Sequence, residues 1–239
     1  MCGRLRLSIR GLSRAGLDIE NHQQEETRVK DLLGRYVSHQ VAKQILDQGG
    51  LNVGGERRQM TIIFADIRGF TTVAEQLSPE RVVTLLNDYL AAMTDVVFKY
   101  DGTVDKFLGD GLMALFGAPL GHSDDVRHAL ACAKEMQSAF NQLRQKWCAE
   151  GLPDLQQGIG INTGEAVVGS IGSTRRLDYT AIGDAVNTAQ RLQGLAAGGQ
   201  ILISASPFSR LDNEPAEPLG AMTVKGKREV LNVFRLILD

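Results

Sequence analysis

Two aspartates, Asp66 and Asp110, each stand where a short apolar run meets glycine. The first run is Met60-Thr61-Ile62-Ile63-Phe64-Ala65, continuing into Asp66-Ile67-Arg68-Gly69. The second follows Leu108-Gly109-Asp110-Gly111 and reads Leu112-Met113-Ala114-Leu115-Phe116. Both runs are bounded and rich in β-branched or aromatic residues, which predicts buried strands. A carboxylate leaving a buried strand is expensive unless something positive meets it, and two side by side repel. A hard divalent cation resolves both problems, because Mg²⁺ takes oxygen ligands and tolerates water in its remaining positions. Carboxylates that hold two metals suit attack at a phosphorus centre. Each aspartate also has a plainer reading. Asp110 between two glycines is a hairpin turn residue, and Asp66 is a helix cap. Ile67-Arg68-Gly69-Phe70-Thr71 leads from the strand toward a helix, and its N–H groups beside the pair suit a phosphate.

The rest of the chain supplies a frame for these strands. Residues 1–19 form a basic arm with Arg4, Arg6, Arg10 and Arg14 and no continuous apolar stretch, so it is not a secretory signal. Over residues 20–57, apolar residues from Val29 to Leu46 fall at helical spacing, and Gly49-Gly50-Leu51-Asn52-Val53-Gly54-Gly55 reads as a flexible linker. The main domain spans 58–239. It is predicted as strand 60–65, a short helix near 71–76 and a long helix from Pro79 to Tyr100. Ser78-Pro79 starts that helix, and Val82, Leu86, Tyr89, Met93 and Val97 form its apolar stripe. Strands 103–108 and 112–116 follow, then a helix over 123–147 begun by a Ser123-Asp124-Asp125 cap. Strands at 156–163 and 165–170, a helix at 184–196 and strands at 200–204, 220–224 and 230–237 complete it. The order β-α-β-β-α-β predicts an α+β fold with a ferredoxin-like core, extra C-terminal strands and an N-terminal helix. That order sets strand 60–65 beside the 103–116 pair and brings Asp66 to Asp110.

Composition narrows the function classes. A net charge of −2 gives no footprint for nucleic acid or an anionic membrane. The apolar runs are too short to span a bilayer. Cys2, Cys132 and Cys148 are widely spaced and form neither a disulfide framework nor a zinc site, which predicts a reducing, cytoplasmic setting.

Three blocks carry a family resemblance. Phe64-Ala65-Asp66-Ile67-Arg68-Gly69-Phe70-Thr71, then Lys106-Phe107-Leu108-Gly109-Asp110-Gly111, then the run from Tyr179 to Leu192 resemble, in order and spacing, the signature blocks of the class III nucleotidyl cyclase catalytic domain. The resemblance implies an adenylyl cyclase that converts ATP to 3′,5′-cyclic AMP and pyrophosphate. It implies two Mg²⁺ (or Mn²⁺) per site, held by Asp66, Asp110 and the Ile67 carbonyl, with the amides of Gly69, Phe70 and Thr71 around phosphate oxygens. Arg191 is assigned the charge developing on the α-phosphate, Asn187 the ribose, and Lys225 the terminal phosphates, with Lys227 its close competitor. Asn187 and Arg191 lie four apart and share a helix face.

The base is assigned to Lys106 and Thr180. Lysine is a pure donor and a threonine hydroxyl can accept, which matches the N1 acceptor and N6 donor of adenine. One departure stands out: some family members carry arginine where this chain has Glu165, and glutamate cannot bind phosphate. Because each element occurs once, the resemblance implies a homodimer with two shared sites. Asp66 and Asp110 come from one subunit, and Lys106, Thr180, Asn187, Arg191 and Lys225 from the other. Relatives with the Lys/Thr pairing respond to bicarbonate, which makes it a candidate activator. The rival readings are a guanylyl cyclase, which Lys106 opposes, and a catalytically silent dimerisation or sensing domain, which Asp66, Asp110 and Arg191 oppose. Residues 1–50 are too short for a sensor domain, which points to a longer parent chain, sensor-linked or membrane-attached.

Overall fold

A computed structural model describes residues 54–173, 176–205, 214–222 and 230–238. The predicted basic arm, the helix before the linker and Lys225 with Lys227 lie outside the described residues. The elements run β1 (Gly54–Arg68), α1 (Phe70–Ala74), α2 (Pro79–Lys99), β2 (Thr103–Phe107), β3 (Gly111–Phe116), α3 (Asp125–Ala149) and β4 (Gln156–Ser173). They continue with β5 (Arg176–Ile182), α4 (Asp184–Leu195), β6 (Ile201–Ser204), β7 (Ala216–Met222) and β8 (Leu231–Leu236).

The sheet order is β2-β3-β1-β4-β6-β8-β7, with β5 paired to β4. β1 is antiparallel to both β3 and β4, so the first four strands carry the predicted ferredoxin-like arrangement. The apolar text of β1 is continuous because both of its faces are covered. Ile63, Ala65 and Ile67 enter a large core with Leu85, Tyr89, Met93, Met136 and Phe140 from α2 and α3. Met60, Ile62 and Phe64 enter a second cluster with Met113, Leu115, Ala185 and Ala189. Each fully buried aliphatic side chain contributes roughly 1.5–3 kcal/mol of apolar burial.

Helix α2 starts as predicted, with the Ser78 hydroxyl accepting from the Arg81 amide at 3.3 Å and Pro79 in the first turn. Its buried stripe is Leu85, Tyr89, Met93, Val96 and Val97. Leu86 and Val82 flank the core, and Leu85, four residues before Tyr89, fills it. At the start of α3, the Asp125 carboxylate accepts from the His122 amide at 2.9 Å, and no side chain of the preceding residue caps the helix.

Four strand boundaries differ from the sequence reading. β1 begins at Gly54, so the last two linker glycines belong to the sheet. The backbones approach closely there: a Cβ on Gly55 would lie 2.6 Å from a Val167 methyl, and one on Gly169, opposite it in β4, would lie 2.2 Å from the Gly54 carbonyl oxygen. The two strands predicted at 156–163 and 165–170 form one strand, β4. Gly164 does not break it; it pairs with Met60, and a Cβ there would meet the Ala185 methyl at 2.9 Å. β5 is absent from the sequence reading. Its residues are polar at every second position, and its ladder with β4, Gly169 opposite Thr180 among others, makes it a strand. β7 starts four residues earlier than predicted. Pro218 disguises it, and the sheet edge tolerates proline.

Candidate active site

The β2–β3 turn delivers Asp110 to Asp66. Leu108 and Gly111 exchange both backbone hydrogen bonds, at 2.7 and 3.2 Å, leaving Gly109 and Asp110 as a two-residue turn. Gly109 takes φ 68°, the left-handed conformation that such hairpins require at this position. Asp110 is therefore the turn residue of the plainer reading and also a neighbour of Asp66. Asp66 pairs with Gly111 across the ladder, and the Ile67 amide donates to the Asp110 carbonyl at 3.3 Å. A Cβ on Gly111 would stand 3.2 Å from Asp66 Oδ2, so glycine there keeps the carboxylate's space open.

The electrostatics suit a divalent cation at this pair. Burial pushes the Asp66 carboxyl up to about 6, the Asp110 charge adds to this, and Arg68 opposes it. Burial also raises the Asp110 carboxyl. Arg68 Nη1 lies 3.7 Å from Asp66 Oδ1, too far for a strong pair, and its Nη2 donates instead to the Gln193 carbonyl in the last turn of α4. Its Nε is buried without a hydrogen-bond partner among the described residues. Gly158 gives this guanidinium its room, since a Cβ there would meet Nη2 at 2.4 Å. The sequence reading assigned Arg68 no role. The donor set at the pair is all oxygen, as Mg²⁺ prefers. Among the described residues no group of three or more His, Cys, Asp or Glu side chains forms a metal cage. Two carboxylates would leave coordination positions for water and substrate phosphates, the usual habit of Mg²⁺.

A pH dependence follows. The metal-free folded state disfavours ionised Asp66, so this group's contribution to stability is present near pH 4 and lost as pH rises through about 6. The melting temperature in EDTA is expected to be lower at pH 7.5 than at pH 5, and Asp66→Asn is expected to reduce that difference. Mn²⁺ should raise the melting temperature more at pH 7.5, because protons compete with it at pH 5. Thermal melts at the two pH values check this. Equal stabilisation by Mn²⁺ at both pH values would count against metal binding at Asp66.

Beyond Asp66, Gly69 has φ 77° and precedes α1, a conformation glycine adopts without strain. Phe70 is buried in the core, which anchors this loop, and Thr71 is exposed. The first amides of α1 have no partner within the helix.

Lys106 and Thr180, 74 positions apart, meet: Lys106 Nζ donates to Thr180 Oγ1 at 2.9 Å. The Thr180 hydroxyl donates to Asp105 Oδ2 at 2.6 Å, and the Ala181 amide donates to the same oxygen at 3.4 Å. Lys106 Nζ is 3.1 Å from Asp105 Oδ1. The sequence reading missed Asp105, whose side chain is 0% exposed. No local pattern marked it, because the irregularity that turns it inward belongs to the pairing of β2 with β3.

Helix α4 carries Asn187 and Arg191. Its buried face is Ala185, Thr188, Ala189 and Leu192, so Asn187 and Arg191 project from another face. The helix lies unusually close to β4. A Cβ on Gly160 would fall 2.0 Å from the Gln193 amide nitrogen, and buried Asn162 donates to the Ala185 carbonyl at 2.9 Å. Asn187 is exposed. Arg191 Nη1 is buried and, among the described residues, has no hydrogen-bond partner, although a guanidinium normally satisfies its donors. An oxyanion would satisfy that donor. Glu165 is paired by Arg57 at 2.7 Å on the surface, with both side chains more than half exposed.

Comparison with known proteins decides the family. The sequence model for the adenylate and guanylate cyclase catalytic domain matches residues 55–236. The chain belongs to this family. Adenylate cyclase 1 of Rhizobium meliloti (strain 1021) is 34% identical over 240 residues, covering 92% of this chain and 35% of that protein. The crystal structure of the adenylyl cyclase CyaB from P. aeruginosa is 37% identical with a TM-score of 0.76, covering 78% of this chain and 97% of that one. The crystal structure of the guanylyl cyclase Cya2 is 41% identical with a TM-score of 0.73, covering 78% and 95%. The chain spans less than half the length of the curated relatives it matches first. Among the described residues of this cyclase domain, no helix is long and apolar enough to cross a membrane.

Proposed function

We propose that this domain is an adenylyl cyclase, forming 3′,5′-cyclic AMP and pyrophosphate from ATP at sites shared by two copies of the chain. The observation that carries the choice of nucleotide is the Lys106–Thr180 contact at 2.9 Å. Overall likeness cannot choose, since an adenylyl and a guanylyl cyclase structure match comparably. The edge presented by the pair does choose. Lys106 donates to N1 and Thr180 accepts from the N6 amine, a pattern adenine meets and guanine reverses.

The ribose 3′-oxygen bonds to the α-phosphorus as the bond to the pyrophosphate oxygen breaks. Two Mg²⁺ or Mn²⁺ ions on Asp66, Asp110 and the Ile67 carbonyl would supply a lowered pKa for the 3′-hydroxyl and charge neutralisation for pyrophosphate. The Gly69, Phe70 and Thr71 amides face phosphate oxygens. Asn187 orients the ribose. Arg191 places its unpaired Nη1 against the charge that builds on the α-phosphate, where a fixed donor contributes most. Lys225, outside the described residues, is assigned the terminal phosphates. The domain assignment remains a basic arm over 1–19, a helix and linker over 20–57 and the catalytic domain over 58–239.

Site sharing is supported by exposed apolar side chains beside the functional ones. Phe107 and Leu108, between Lys106 and Asp110, are 51% and 41% exposed. Val167 and Ile182, paired across β4 and β5, are also exposed. A second copy would cover such surface.

The test is a specificity swap. Lys106→Glu with Thr180→Cys is expected to move the ratio of kcat/KM values from ATP toward GTP, because mispaired buried polar groups are penalised strongly. Total activity should fall as well. A folded double variant with the wild-type ratio would remove the pair from base reading.

A further inference from the structure

Asp105 is a buried charge that no step above uses. Aspartates are almost never fully buried unless paired. This one occupies a register irregularity of β2: Val104 pairs with Ala114 and Lys106 with Met113, leaving Asp105 unopposed. Successive side chains of a regular strand point to opposite faces. The bulge re-aims them, so Asp105 and Lys106 both reach Thr180 on β5.

The proton inventory at Thr180 is then determined. The Lys106 ammonium can only donate, so Thr180 Oγ1 accepts from it at 2.9 Å. The hydroxyl has one proton, and the 2.6 Å bond to Asp105 Oδ2 uses it. Nothing but lone-pair density is left to face a ligand. A threonine without this neighbour would be ambivalent, because its hydroxyl rotates and either donates or accepts. Burial raises the Asp105 carboxyl, while the donors on Thr180, Lys106 and Ala181 favour its charged, accepting form.

We infer that Asp105 is a positioning residue for base selection, which takes the only proton of Thr180 and so fixes that hydroxyl as an acceptor. The hydroxyl thereby suits the 6-amino group of adenine and rejects a 6-oxo purine. Asp105 touches no substrate and acts through Thr180. The inference rests on the reading of Lys106 and Thr180 as the base-binding pair.

Inosine triphosphate separates these ideas, since it differs from ATP only along the edge this pair reads. The experiment compares kcat/KM for ATP and inosine triphosphate in wild type, Asp105→Asn, Asp105→Ser, Thr180→Val and the Asp105→Asn/Thr180→Val double variant, with folding followed by thermal melting. Asp105→Asn keeps the shape but offers an amide that can donate to Thr180, freeing the hydroxyl proton to point outward. The ATP preference is expected to fall about tenfold in Asp105→Asn, to fall also in Asp105→Ser, and to change no further when Asp105→Asn is added to Thr180→Val. A purely structural Asp105 would lower both nucleotides equally and keep the ratio, which overturns the inference. An intact ratio in Thr180→Val defeats the base-pair reading itself. A shifted ratio in Thr180→Val with an unshifted ratio in both Asp105 variants defeats the role of Asp105 alone.

Discussion

Replacing either Asp66 or Asp110 with alanine is expected to abolish cyclisation while leaving the domain folded. The two carboxylates sit at the end of β1 and in the β2–β3 turn, and burial raises both of their pKa values. Removing one relieves repulsion in the metal-free protein, so the melting temperature in EDTA should hold or rise. It also takes away an oxygen donor that a divalent ion needs, and stabilisation by Mn²⁺ should be lost with it. Activity assays in Mg²⁺ beside melts with and without Mn²⁺ check both halves. Near wild-type turnover in either variant would contradict the metal assignment.

Arg191→Ala should lower kcat by a factor on the order of 10²–10³, with a much smaller effect on KM. The reason is Nη1: among the described residues it has no hydrogen-bond partner, which leaves it as a donor for charge that builds in the transition state. The same variant tests site sharing. Mixed with Asp66→Ala subunits, it should form heterodimers in which one site collects both lesions and the other is whole. With random assortment, activity should return to roughly a quarter of wild type. A mixture that stays inactive, although labelled subunits exchange, would place all the residues of one site on one chain.

Much of this site was legible because its residues sit at the ends of strongly patterned elements. β1 and β3 are buried on both faces and spell apolar runs, so the aspartates that end or precede them stand out. The i, i+4 spacing of Asn187 and Arg191 fixes their shared face once α4 is a helix. Legibility fails where tertiary contacts override local pattern. β5 is too short for its alternation of polar and apolar residues to stand out beside the helix that follows, and its ladder with β4 is what makes it a strand. Asp105 looked like an ordinary strand charge, because a bulge is a property of the pairing and not of the run. Arg68 gave no signal either, since its room is made by Gly158, far away in sequence. The glycines of β1 and β4 read as breaks, although close backbone approach is what requires them.

The central claim, a cyclase that selects ATP, is met most directly by product analysis. The chain is incubated with ATP or with GTP in Mg²⁺ and in Mn²⁺, and the products are separated chromatographically. Cyclic AMP with pyrophosphate from ATP, and far less cyclic GMP from GTP, is the expected result. Cyclic GMP as the main product, or no cyclic nucleotide from a folded dimeric protein with either substrate, would contradict it.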